Sequence, residues 1–455
     1  MTGYPVTLYS ADLVLPITAP PILDGAIAVR GERILHVGER AWVERSLAER
    51  GVPVTHVRWP GVLTPGLVNA HTHLQYTGMA EVAQRTYQGF DDWITGFNPV
   101  YERGHDWGAD AAAGAAMLVA TGTTAAADIV TDPEAAHALH DAGLQGIAYW
   151  EVMDWTNDEW SKRGRAEVEA ALDSLPDRPG TGLSPHAPYS LEIVPLLEIP
   201  DIVRERGRRL HIHLGESGIE REFAHDAAEP WQSQGLGSLI ELRQAGFGTS
   251  ATDYVDHLGV LGPDCHVAHG VYMSERDRAI LRARGTTVAL CPRSNEVIGL
   301  DAPPVAAYLR EGSPIAIGTD SLSSSPSLDL MGEVKELMRV ARGQGYSGDD
   351  LAERLLRAAT LGGAHAMGID EGAHRTGYLA VGARADLAFF DVPVTTADET
   401  LTVLAESGDG RCAATVIGGR VRHATAAFVD AGGAAAIPPG PRIGPPFPAA
   451  RAQEA

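Results

Sequence analysis

Residues 65–74 read Pro-Gly-Leu-Val-Asn-Ala-His-Thr-His-Leu, an apolar run that ends in two imidazoles, His71 and His73. In an extended strand, residues i and i+2 project to the same side, so both rings leave the end of that strand together. The pattern of an apolar run followed by polar residues recurs along the chain. Similar runs lie at 123–130 (TTAAADIV), 145–153 (QGIAYWEVM), 181–188 (TGLSPHAP), 209–217 (RLHIHLGES), 265–270 (CHVAHG), 286–292 (TTVALCP) and 313–321 (SPIAIGTDS). Helical patterns such as AAAGAAMLVATG and SERDRAILRARG separate them. Eight strands alternating with helices predict an α/β fold, a (β/α)8 TIM barrel. A doubly wound open sheet would also alternate, but no Gly-rich nucleotide turn follows the first strand.

Outside this region the texture changes. Residues 1–61 hold short β-rich runs (TLYSADLVLP, GAIAVRGERILHVG, PVTHVRW), and residues 372–428 hold matching ones (GYLAVGARADLAFFDV, AATVIGGRVRHA). The two ends are expected to build one small β-sandwich domain that brackets a barrel at 62–371. The Ala/Pro/Gly-rich stretch 429–455 is expected to be a disordered tail.

The formal charge of −23 argues against nucleic acid or an anionic membrane as partner. The cysteines are Cys265, Cys291 and Cys412, few and far apart, which fits a reducing compartment. No basic-then-apolar leader opens the sequence, and no run is long enough to span a membrane, so a cytoplasmic location is expected. Lys162 and Lys335 are the only lysines.

The chemistry-bearing residues cluster at the C-terminal ends of the predicted strands, the face that carries active sites in such barrels. His71 and His73 end the first, His213 and Glu216 the fifth, His269 the sixth and Asp320 the eighth. His211 reads as structural and Cys291 as packing. Three histidines (His71, His73, His213) and Asp320, with a position left for water, suit one divalent ion, zinc or iron. Such an ion makes hydroxide available at neutral pH. Glu216 can then serve as acid/base without binding the ion, and His269 can hold the nucleophile.

The segments PGLVNAHTHL, LHIHLGES, VAHG and IGTDS resemble signatures of the amidohydrolase superfamily, in order and with similar spacing. GYLAVGARADLAFFD is similar to that family's return into its β domain. Binuclear members carry a modified lysine on the fourth strand. Here that strand holds His186, so the resemblance implies a single metal. HLGE with Glu216 resembles the adenosine, guanine and S-adenosylhomocysteine deaminase branch. The resemblance implies that Glu216 protonates N1 while hydroxide, oriented by His269 and Asp320, attacks C6 of an aminopurine. Imidazolonepropionase and triazine chlorohydrolases look similar, so a chlorohydrolase or cyclic amide hydrolase stands as an alternative. A non-catalytic assembly protein on the same scaffold is a third reading, disfavoured because the whole ligand set is present.

Further segments (HTHLQYTGMA, FDDWITGFNPVYE, SPHAPYS, CPRSNEVIG, GTDSLSSSPSLDLMGE) resemble aminodeoxyfutalosine deaminases. That implies a nucleoside-like substrate, 6-aminodeoxyfutalosine, on a route to menaquinone, with another adenine nucleoside or thioether (S-adenosylhomocysteine, methylthioadenosine), or guanine or cytosine, as the alternative. On this reading Glu102 binds ribose hydroxyls, His186 contacts the sugar and Arg293 pairs with the benzoate. Gln75 and Tyr76 line the pocket. Trp93, Phe97 and Tyr101 offer a ring for stacking, or else form a plain helix core. By analogy with the scaffold a homodimer is expected.

Overall fold

The structure, a computed structural model, describes residues 5–176, 180–223 and 248–433. Its barrel strands are β5 (Leu67–Thr72), β6 (Thr123–Val130), β7 (Gln145–Val152), β8 (Thr181–Pro185), β9 (Arg209–Leu214), β10 (Cys265–His269), β11 (Thr287–Leu290) and β12 (Ile315–Ile317). They form one eight-stranded sheet in sequence order, with every pair parallel. The two edges meet. Asp320 N–H donates to the His71 carbonyl at 3.0 Å, and Asn69 Nδ2 donates to Thr319 Oγ1 at 2.7 Å. This is the closed (β/α)8 barrel that the alternating pattern predicts.

Small side chains let the strands close. β6 is buried at every residue, and Ala70, Ala289, Ala316 and Ala366 cluster inside the barrel. At Gly146, on β7, φ is +121° and an added Cβ would fall 1.8 Å from the Ala126 carbonyl oxygen, so only glycine fits. The connecting helices carry ordinary stop and start signals. The helix Glu275–Arg284, for example, opens on a Ser274/Asp277 capping box and ends at left-handed Gly285. Among the described residues no helix is long and apolar enough to cross a membrane.

The chain ends supply β1 (Val6–Val14), β2 (Ile22–Arg30), β3 (Arg33–Glu39), β4 (Val54–Pro65), β13 (Leu387–Phe390), β14 (Cys412–Ile417) and β15 (Arg420–Ala424). They form one continuous mixed sheet in the order β15-β14-β13-β4-β1-β2-β3. Only β1 and β4 among them pair in parallel. The sheet bends back on itself, because Arg33 bridges Arg384 across the fold. Tyr9, Trp59, Phe389 and Phe428 pack within the bend. Burial of each such aromatic side chain contributes about 2–3 kcal/mol. Phe428 sits on a last helix, Ala426–Asp430. Of the tail, residues 434–455 lie outside the described residues.

Two features tie sheet to barrel. β4 runs into β5 through Gly66, whose N–H donates to the Asp386 carbonyl at 2.9 Å. The buried Asp386 carboxylate in turn accepts from Gln145 Nε2 on β7 at 3.0 Å and from Thr376 Oγ1 at 2.8 Å. The N-terminal ends of β5 and β7 are thus braced against the outer sheet.

Candidate active site

The C-terminal strand ends bring together the residues the sequence singles out. His73 Nε2 and His213 Nε2 face each other at 3.2 Å. Asp320 Oδ1 lies 3.6 Å from His71 Nε2 and 3.8 Å from His73 Nε2. Donor atoms of His71, His73 and His213 lie within 4.8 Å of one another, and so do those of His71, His269 and Asp320. Both ring nitrogens of His71 and of His269 are buried without a hydrogen-bond partner, as is His73 Nδ1. Polar atoms left in this state are costly unless something else satisfies them. A divalent ion would satisfy His71 Nε2, which faces Asp320. Ligands about 2.0–2.1 Å from a tetrahedral ion stand about 3.3 Å apart, close to the His73–His213 separation.

Local structure fixes each ligand. His213 Nδ1 lies 2.9 Å from the His186 carbonyl oxygen and donates to it, which turns Nε2 towards His73. His71 stacks on His211 at 4.8 Å with the rings 8° from parallel. His211 is itself held below the site by Ser184 Oγ at 3.3 Å from its Nδ1, consistent with its reading as structural. Asp320 Oδ2 accepts from Ser294 Oγ at 2.7 Å and from Ser324 Oγ at 3.0 Å, while Oδ1 accepts from the Ser321 N–H at 2.7 Å. His269 and Asp320 both adopt left-handed backbone, with φ of 73° and 59°. For non-glycine residues this costs on the order of 1–3 kcal/mol and persists only where the surroundings impose it.

Burial pushes the His73 and His269 imidazoles down to about 3, which favours the neutral form that metal binding at His73 requires. Burial opposes the charge on Asp320 too, but the neighbouring imidazoles and the Ser294 hydroxyl outweigh it and hold the carboxyl below its ordinary value. Glu216 goes the other way. Burial, with Asp320, Glu220 and Glu151 nearby, raises it well above the carboxylate range. Its Oε1 lies 3.6 Å from His269 Nε2. Glu220 pins the turn that carries it, accepting from the Gly215 and Glu216 N–H groups at 2.8 and 2.9 Å.

These groups form the floor of a cavity of about 770 Å³. Of the residues expected to touch a ligand, His186, Trp93, Tyr76, Phe97 and Tyr101 line it. Trp93 donates its indole N–H to the Ser323 carbonyl at 3.0 Å. Three expectations need correction. Arg293 does not line the cavity. Its Nε bonds Glu333 at 2.6 Å, and its other nitrogens reach Ser327 and the Asp329 carbonyl. A fork spent on a buried carboxylate is not free for a benzoate. Glu102 is exposed at the end of the helix Phe90–Tyr101, outside the cavity wall. Gln75 is buried behind the wall, where its amide accepts from the Thr131 N–H at 2.9 Å and donates to Thr131 Oγ1.

The structure adds carboxylates that the sequence reading passed over. Glu151, at the end of β7, and Asp154, just beyond it, both line the cavity. The signal was present, since Glu151 follows an apolar run as Asp320 does.

Comparisons with known proteins agree with this arrangement. The sequence model of the Amidohydrolase family matches residues 62–422. A 5-methylthioadenosine/S-adenosylhomocysteine deaminase of Moorella thermoacetica is 29% identical over 398 residues, covering 83% of this chain and 84% of the relative. Among solved structures, the aminofutalosine deaminase of Helicobacter pylori superposes with a TM-score of 0.77 at 20% identity, over 91% of this chain and 99% of its own. An adenosine deaminase from Xanthomonas campestris with bound zinc gives 0.74 at 23% identity, over 94% and 96%. The chain belongs to the amidohydrolase family and is a metal-dependent hydrolase acting on C–N bonds.

Proposed function

We propose that the chain hydrolytically deaminates a 6-aminopurine nucleoside, releasing ammonia, and that 6-aminodeoxyfutalosine, on the way to menaquinone, is its substrate. The observation that carries the deaminase reading is Glu216, a carboxyl whose burial favours its acid form, placed beside His269 and the histidine–aspartate cluster. His71, His73, His213 and Asp320 would hold one ion, zinc by preference and iron as the other choice. When bound, that ion supplies Lewis acidity and makes water nucleophilic at neutral pH. The chain's residues do the rest. Glu216 delivers its proton to the ring nitrogen next to the amino-bearing carbon, which becomes electrophilic. Asp320, oriented by Ser294 and Ser324, accepts a proton and passes it to the departing amine. His269 Nε2 faces the same space and orients the nucleophile. The aromatic wall of Phe90, Trp93 and Phe97 excludes water and stacks on the ligand. The unpaired cysteines fit action in the cytoplasm.

A second reading, a thioether nucleoside such as 5-methylthioadenosine, is favoured by one specific observation. Among the described residues no Lys or Arg lines the cavity, whereas Glu151, Asp154, Glu167 and Glu216 do. Among the described residues a benzoate tail finds no cationic partner there. Initial rates of ammonia release from 6-aminodeoxyfutalosine, 5-methylthioadenosine and S-adenosylhomocysteine decide between them. A kcat/KM for the first at least about 100-fold higher, or about 2.7 kcal/mol, supports the futalosine substrate. The reverse order selects the thioether. No ammonia from any of the three overturns the deaminase reading.

A further inference from the structure

We propose that Glu151 is a substrate-positioning residue whose carboxylate accepts hydrogen bonds from the sugar hydroxyls of the nucleoside. The inference rests on the nucleoside reading above. Glu151 lines the cavity, yet its side chain is only 2% exposed. Its Oε1 is buried without a hydrogen-bond partner. A carboxyl group in that state has been taken out of water with little in return, and burial, with the Asp320 carboxylate nearby, pushes its pKa up to about 8; this is tolerated where a ligand supplies the missing donor.

The neighbours exclude the two structural explanations. The cation explanation fails because no Lys or Arg lines the cavity among the described residues. Support of a metal ligand fails because His213 Nδ1, 3.9 Å from Glu151 Oε1, is already committed to the His186 carbonyl at 2.9 Å. Among the described residues no side chain supplies the donor, which leaves it to the ligand.

Position selects which donor. An adenine nucleoside offers its amino group and its sugar hydroxyls. The amino-bearing carbon belongs beside Glu216 and Asp320. Glu151 lies on the Nδ1 side of the His213 ring, away from the Nε2 that faces His73, and next to His186. It therefore meets the part of the ligand beyond the reacting ring. Its two oxygens match two hydroxyls on adjacent carbons. Glu102, which the sequence offered for this task, is outside the wall, and Glu151 is the carboxylate that the fold puts there instead.

The test is kcat/KM for 5-methylthioadenosine and its 2′-deoxy and 3′-deoxy counterparts, on the metal-loaded wild type and on Glu151→Gln. The wild type should lose about 10- to 100-fold on at least one deoxy compound, as expected for a lost hydrogen bond to a charged group. Glu151→Gln should lose a similar factor on the parent, mainly through KM. It should lose nothing further on that deoxy compound, with metal content unchanged. Glu151→Asp, which keeps the carboxyl group, should fall between the two and guards against a folding defect in the amide variant. Discrimination by Glu151→Gln equal to that of the wild type overturns the assignment. So does loss of bound metal in that variant, which would make Glu151 a support for His213. A wild type that releases ammonia from no nucleoside overturns the nucleoside reading and this inference together.

Discussion

The cavity has two halves built on different terms. Its floor is made of strand ends: His71, His73, His213, His269 and Asp320 sit on or just past β5, β9, β10 and β12, held by backbone and serine hydrogen bonds. Its wall comes from the loops after β5 and β7, chiefly Phe90, Trp93, Phe97 and Trp155. The wall depends on ring packing and a few polar anchors, such as Trp93 to the Ser323 carbonyl and the Gly89 N–H to the Ile298 carbonyl at 2.8 Å. Chemistry that needs fixed geometry sits on the closed sheet, and recognition sits on segments that can vary without disturbing it.

Substitutions can break or sharpen that contrast. On the floor, His213→Ala should abolish metal retention and reduce ammonia release to background, read by metal analysis and initial rates. Glu216→Gln should keep the metal but lower kcat by about 10²–10⁴-fold. The sign of the pH dependence follows from the raised pKa of Glu216. Its acid form is the proton donor, so kcat should fall as pH rises through that pKa, and the amide variant should lose this limb. A flat alkaline profile in the wild type would remove Glu216 from the proton transfer.

Behind the wall, Arg293→Met strands the buried Glu333 carboxylate, which burial raises to about 7 even with the guanidinium beside it. It should cost about 3–5 kcal/mol of stability in denaturant unfolding, with KM little changed. A large KM rise for a carboxylate-bearing substrate at unchanged stability would restore Arg293 as a binding residue. On the wall, Trp93→Ala should raise KM by about tenfold, or about 1.4 kcal/mol, while leaving metal content alone. Glu102→Gln, on the exposed side, should change stability by less than about 0.5 kcal/mol and leave KM alone.

The same division explains what could be read from sequence. The barrel was legible because eight apolar runs each end in polar residues. His71, His73, His213 and Asp320 were legible because strand periodicity and strand ends dictate where they point. The wall was not. Whether Glu102 faces in or out depends on how the helix Phe90–Tyr101 is anchored through Gly89 and Trp93, contacts made with residues far along the chain. Arg293 follows a strand just as Asp320 does, but Glu333, forty positions on, captures it. Spacing alone carries no trace of either contact. The continuity of the outer sheet was similarly hidden, since the pairing of β4 with β13 joins opposite ends of the sequence.

The most direct test of the account is ammonia release from an adenine nucleoside by protein stripped with a chelator and then titrated with zinc. The account predicts no activity in the stripped protein and full recovery at one ion per chain. Undiminished ammonia release without metal, or recovery only at two ions per chain, would contradict it.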